Sequence, residues 1–489
     1  MEYQLYGGQG ASLYALYLGT LILLLFAYRV YSQPLAKLPG TELSKWTDVI
    51  LKYHWLRGTR SQYVHSLHQQ YGPVIRVGPR EVSVCDIAAA KQIHSLKGGF
   101  VKSNFYEALV PGVQDVFSTR DIELHRRHRR LLTSPISDTS LKAVEGAVDA
   151  KVKRAIQRMA QERGVRGAAD VFNFWLFMAS DVISELSFGE SFGLLEQGKK
   201  NQYVEDVEKL AALTGIATTF PTLVKLTKHI PIPFLQGPSQ NAQRLREYAE
   251  GAIGRYKNYL SNNPASDKPM LFSRLFKAGD EGLTDAEIWG DAQAYIVAGS
   301  DTTANSLTYL VWAVCRDSTV KRRLVTELSE LDENFGDSDL RGLPYLNQVI
   351  EETLRLYPAA PSALPRVVPV QGVTFCNQWI PGGVTISTQA WGLHRIPAVF
   401  PEPDRFNPSR WETPTKDMKD SFMPFGGGSR VCLGLHLARM ELRLGAARFF
   451  RTFPGAKVSQ LERMSDDDMV PLTYFLLNPK GKRCLIETV

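Results

Sequence analysis

From Ala11 to Tyr28 the chain carries no charge and is dominated by Leu, Ile, Phe and Tyr, and about 18 such residues just reach bilayer-spanning length. The pattern predicts a transmembrane helix. Tyr14, Tyr17, Tyr28 and Tyr31 lie near its ends, and Arg29 and Lys37 follow it, which places the remainder on the cytosolic side. Pro34, Pro39 and Gly40 then make a stiff connector. Val74 to Val84 alternates as two short strands about a Gly-Pro turn. Ala168 to Phe188 is apolar on more than one side, as expected of a core helix. Ile230 to Leu235 is an apolar loop that its prolines keep from being helical. Thr284-Asp285-Ala286-Glu287 has the form of a capping box, so a long helix should begin there and run to about Cys315. After Pro365 strands and turns dominate, and the predicted class is mainly α with a smaller β region, α+β.

Composition changes this picture little. Hydrophobic residues at 44% and charged residues at 22% allow a large core, and no linker, charge block or repeat divides the chain. The five cysteines are odd in number and scattered, which argues for a reducing compartment without a disulfide framework. No Lys or Arg precedes the apolar run and no small-x-small site follows it, which weighs against a cleaved signal peptide.

Two stretches look costly unless they do chemistry. Ala298 to Thr303 (Ala-Gly-Ser-Asp-Thr-Thr) is a poor choice for a helix interior. Thr302 stands four residues after Ala298, so its hydroxyl can bond the Ala298 carbonyl and open the backbone ladder, making a notch beside Asp301. Phe425 to Gly434 (Phe-Gly-Gly-Gly-Ser-Arg-Val-Cys-Leu-Gly) sets Cys432 in a glycine-rich loop before a helix starting at Leu435. Backbone amides, Arg430 and the helix dipole would all favour a thiolate there. A zinc site of Cys432 and His436 lacks a second ligand pair. Glu352 and Arg355 share a helix face at i, i+3, and in the basic run His125 to Arg130, His125 and Arg129 share one face while Arg126 and Arg130 share another. No further basic or aromatic elements organise with that run, so no nucleic-acid partner is expected.

The spacing Phe-x-x-Gly-x-Arg-x-Cys-x-Gly resembles the haem-binding loop of the cytochrome P450 family, Ala298 to Thr303 resembles its oxygen-activation motif, and Glu352-Thr353-Leu354-Arg355 resembles its Glu-x-x-Arg. The resemblance implies the P450 fold from about Lys37 onward, with an anchor at 1–32, a hinge at 33–40 and a catalytic domain at 41–489. It implies haem b with Cys432 as the axial iron ligand, supported by Phe425, Arg430 and Gly434. Asp301 and Thr302 would handle protons. Arg129 and Arg366 would meet the propionates, and His125, which stands where the family usually has Trp, would bond one through its imidazole or leave that bond absent. Arg405 would complete a buried scaffold triad with Glu352 and Arg355. Around the substrate it would place Phe105, Tyr106, Val113, Phe117, Tyr295, Ala298, Gly299, Ala360, Ala363, Leu364 and Tyr474, all apolar, aromatic or small.

The activity so implied is a monooxygenase of the endoplasmic reticulum membrane, single-pass with a cytosolic catalytic domain, similar to fungal microsomal members of secondary metabolism. Its substrate would be a lipophilic terpenoid, polyketide or alkaloid. Electrons would come from NADPH through a separate cytochrome P450 reductase, with cytochrome b5 as an optional second donor, because no flavin or dinucleotide fingerprint follows a strand here. The net charge of +7, with Arg126, Arg127 and Arg130, suits an acidic docking partner. The alternatives are a reductase-independent haem-thiolate isomerase or dehydratase, and a non-catalytic haem-binding membrane protein.

Overall fold

A computed structural model of the protein describes residues 6–109, 115–202, 204–206, 218–219, 243–244, 247–248, 250–251, 253–255, 258, 261–262 and 283–488. The apolar loop expected at 230–235 and the pocket residue Val113 lie outside them. The helices that build the site are α1 (Tyr6–Tyr31), α2 (Ile122–Thr133), α3 (Glu145–Arg166), α4 (Val171–Phe188), α5 (Asp285–Arg316), α6 (Pro344–Leu356) and α7 (Leu435–Thr452).

Two of these are long and apolar enough to cross a membrane, and burial separates them. The α4 window is 89% buried, whereas Leu13–Tyr31 is 6% buried. The first is the expected core helix and the second remains the candidate span. Helix α5 begins with the predicted capping box: Thr284 Oγ1 accepts from the Glu287 N–H, and the Glu287 carboxylate accepts from the Thr284 N–H. It crosses the molecule against α4, α6 and α7. Gly299 is where α4 comes closest, since a Cβ there would sit 2.8 Å from Ile183. Its small size serves a helix crossing, and the residue also borders the cavity described below, as expected of it.

The main sheet contains β1 (Val74–Gly78), β2 (Glu81–Val84), β3 (Val101–Lys102), β4 (Arg366–Val367) and β5 (Thr385–Ser387) in the order β1-β2-β5-β4-β3. The β1–β2 pair is the predicted antiparallel hairpin. In the β3–β4 pair Lys102 stands opposite Arg366, which sets two cations side by side at the edge of the future site. A short hairpin, β6 (Pro471–Thr473) and β7 (Leu477–Pro479), carries Tyr474 and Phe475 at its tip.

The connector after α1 is tied down. Leu35 and Leu38 are buried, and the buried Arg76 guanidinium donates to the carbonyls of Leu35, Ala36, Leu38 and Thr41. Trp46 packs edge-on against Tyr31 and against Phe26 of α1, and Tyr31 donates its hydroxyl to Glu42.

Candidate functional site

The glycine loop closes on itself before it reaches α7. Gly426 and Gly428 adopt φ of +72° and +62°, and a Cβ on Gly428 would overlap the His94 carbonyl, so this tight turn requires glycine. The Cys432 N–H then donates to the Phe425 carbonyl at 2.9 Å. Cys432 is accessible although it lies deep in the protein, because its sulfur opens onto an internal cavity and not onto the outer surface. Burial pushes its pKa up, while the Gly434 amide donating to the sulfur and the Arg129 guanidinium pull it down. Burial wins, so without a metal the thiol keeps its proton at neutral pH.

The loop is joined to its scaffold through His394. Nδ1 donates to the Arg355 carbonyl and Nε2 accepts from the Met423 N–H, an arrangement that needs neutral imidazole; burial lowers its pKa to about 3. Glu352 and Arg355, both fully buried, pair at 2.8 Å and 2.9 Å. Arg405 does not complete the triad. Its side chain is exposed and pairs with Glu402, and only its backbone carbonyl meets Arg355. The third member is Arg410, whose Nε donates to Glu352 at 3.0 Å, and the Trp411 indole N–H donates to the other Glu352 oxygen at 3.0 Å. The sequence offered two arginines in one segment, and only the fold shows which one turns inward.

A cavity of about 1580 Å³ connects this loop with α5, α2, the β3–β4 edge and the β6–β7 tip. That exceeds the roughly 300–1,000 Å³ of an ordinary ligand pocket, leaving room for a large cofactor as well as a substrate. Six basic side chains line it: Lys482, and a cluster of five made of Lys102, His125, Arg129, Arg366 and Arg430 that act on one another. Burial first, and then their mutual repulsion, lowers Lys102 well below its ordinary range, His125 to about 3 and Arg430 to about 10. Arg129 donates to the Val431 carbonyl at 2.8 Å, and Arg366 donates to the Tyr106 hydroxyl at 3.0 Å. Arg430 Nη1 is buried with no hydrogen-bond partner among the described residues. Crowded, desolvated cations around a wide cavity with one donor left over fit a flat ligand carrying two carboxylates, as haem does. Sequence reasoning missed Lys102, because its place beside Arg366 depends on strand register between distant segments.

Across the cavity α5 is notched as predicted. Thr302 Oγ1 donates to the Ala298 carbonyl at 2.7 Å, and Ala298, Asp301 and Thr302 all line the space. Thr303 turns the other way and donates to Glu441 of α7 at 3.0 Å; burial raises that carboxyl to about 8, so it holds its proton at neutral pH. Tyr106, Phe117, Tyr295, Leu364 and Tyr474 reach the wall as expected, together with Phe425 and Gly434 at the loop. Phe105 packs behind it against Trp55 and Phe475. Ala363 is off the wall, bridged to Gln389, whereas Ala360, expected around the substrate as well, and its neighbour Ala359 line the cavity. Stepping back by four from Ala298 would have found Ala294 and Gly290, which also face inward.

Comparison with known proteins agrees over nearly the whole chain. The family model described as Cytochrome P450 matches residues 43–485. The chain is 49% identical over 464 residues to cytochrome P450 monooxygenase tazI of Aspergillus terreus, covering 94% of this chain and 95% of the relative. It is 42% identical over 439 residues to cytochrome P450 monooxygenase azaI of Aspergillus niger, covering 85% and 94%. With cytochrome P450 monooxygenase stcB of Emericella nidulans it shares 35% identity over 466 residues, covering 93% and 89%.

Proposed function

From the premise that this chain belongs to the cytochrome P450 family and is a haem-thiolate monooxygenase, we propose that it oxygenates a lipophilic secondary metabolite with electrons delivered from NADPH by a separate reductase. When bound, the haem supplies the activation of O2 and the insertion of one oxygen atom. The chain supplies the rest. Cys432 would supply the thiolate that holds the iron; the Gly434 amide and Arg129 stabilise its charge against the burial that opposes it. Arg366, Arg430, Arg129 and Lys102 would meet the propionates, with His125 contributing a neutral imidazole. Thr302 and Asp301 hold and pass protons on the α5 side. Glu352, Arg355 and Arg410 fix the loop that carries Cys432.

The observation that carries this reading is that one cavity unites Cys432, a rim of five basic groups and the hydroxyl notch of α5. Residues 1–32 act as the anchor, 33–40 as the connector and 41–489 as the catalytic domain, which sits on the cytosolic face of the endoplasmic reticulum. Exposed Arg126 and the neighbouring Arg130 form the docking face for an acidic reductase surface; Arg127 is instead drawn to Glu287 of α5. The test is reconstitution of the full chain in detergent with reductase and NADPH. Product formation that requires NADPH supports the proposal, and turnover of a peroxide with no NADPH would replace it with an isomerase or dehydratase.

A further inference from the structure

The wall around the substrate space is built for flat rings. Trp55, Phe105, Tyr106, Phe117 and Phe475 form one continuous cluster. Its centroid separations run from 5.5 Å for Tyr106–Phe117 and 5.6 Å for Phe117–Phe475 to 6.4 Å for Tyr106–Phe475. Most of these pairs meet edge to face, with interplanar angles of 69° to 83°. Tyr106, Phe117 and Phe475 all border the cavity, so another ring can extend the same packing.

The wall is held rigidly. The Phe117 and Ser118 N–H groups donate to Asp115 at 2.7 Å, and the Val116 N–H donates to Asp291 of α5 at 2.7 Å. His128 of α2 binds the other Asp291 oxygen at 2.7 Å, so α2 and α5 both fix the segment. Lys102 donates to the Phe117 carbonyl and lies over the Tyr106 and Phe117 rings at 4.0 Å and 4.3 Å. A wall tied at this many points selects a shape and does not adapt to one.

Helix α5 also borders the cavity, through Gly290, Ala294 and Ala298 at i, i+4 and i+8 of one face, a strip of small residues flanked by Val297 and ending at Thr302. Gln293 lies beside that strip, lines the cavity and has no hydrogen-bond partner among the described residues. It is nine residues before Thr302, about 13 Å along the helix axis, a span matched by several fused rings.

We propose that the substrate is a flat, conjugated fused-ring molecule, held by Tyr106, Phe117 and Phe475 and carrying a hydroxyl or carbonyl that Gln293 binds at the end remote from the oxidised carbon. This rests on the monooxygenase reading and narrows its substrate class. A saturated skeleton is puckered and thicker, and it offers no ring face or edge to the cluster.

The experiment titrates the full-length haem protein with 9-phenanthrol and with perhydro-9-phenanthrol, which share a skeleton and a hydroxyl but differ in flatness, and follows the haem spin state. The flat probe should bind about tenfold more tightly, as two aromatic contacts would give. Phe117→Leu and Phe475→Leu should each reduce that preference while leaving the saturated probe's affinity and the reduced CO band in place. Ala294→Val, which thickens the α5 face, should weaken the flat probe selectively. Equal affinity of the two probes for the wild type, binding of neither, or an unchanged preference in both Leu variants would overturn the inference. Loss of the CO band or of NADPH-dependent turnover in the wild type would instead overturn the monooxygenase reading itself.

Discussion

At Cys432 burial favours the thiol while one amide and one guanidinium favour the thiolate, and iron, when bound, would tip that balance by taking the proton's place. Cys432→Ser keeps the shape of the side chain but removes the soft ligand, so the reduced CO complex should lose its red-shifted thiolate Soret band. An unchanged band would sink the assignment. Thr302→Ala removes the hydroxyl that reaches the Ala298 carbonyl. NADPH consumption should continue while product per NADPH falls several-fold and hydrogen peroxide accumulates; an unaltered ratio would leave Thr302 a structural residue. Residues at this scale were legible when local spacing defined them, as with Cys432 in its glycine loop or Thr302 four after Ala298. Lys102, Arg410 and Ala363 were not, because their roles depend on which way distant segments turn.

Elements meet through buried charge, and two substitutions separate the roles assigned to neighbouring arginines. Arg410→Met should leave Glu352 short of a cation inside the core and cost about 3–5 kcal/mol of stability, whereas Arg405→Met at the surface should stay within about 0.5 kcal/mol. Denaturant unfolding of the two variants decides the matter, and the reverse ranking would restore Arg405 to the triad. Between α5 and α7, Glu441 keeps its proton up to about pH 8, while in the unfolded chain it ionises near 4.5. Its folded pKa is raised, so its contribution is complete below about 4.5 and is lost as pH climbs through about 8. Glu441→Gln preserves the Thr303 contact without the titration. The melting temperature of the variant relative to wild type should therefore rise steadily between pH 5 and 8, and a flat difference would mean that the carboxyl is already ionised. Helices α4 and α5 could be read from apolar pattern and capping box; the order of the five-stranded sheet could not, because its strands are two to five residues long and come from opposite ends of the chain.

For the molecule as a whole the excess of 57 basic over 50 acidic residues is an association property, not a folding one. If Arg126 and Arg130 face an acidic reductase, raising salt should slow the first electron transfer, and charge reversal at both positions should flatten that dependence. Stopped-flow reduction measures it; a rate indifferent to both changes would move docking to another face.

Arg76 has a mechanical consequence. With four carbonyls of the connector gathered on one buried guanidinium, and Trp46 wedged against Tyr31 and Phe26, the joint between helix and body is a bolted flange and not a leash. Torque applied to the helix by a thicker or thinner bilayer would pass into the body, so lipid thickness would set how the mouth of the cavity is pitched toward the membrane. A shortened protein that begins at residue 33 keeps the carbonyls on Arg76 and loses the lever together with the Tyr31 and Phe26 side of the Trp46 wedge; one that begins at residue 42 discards the carbonyls as well and leaves Arg76 buried with little to hold.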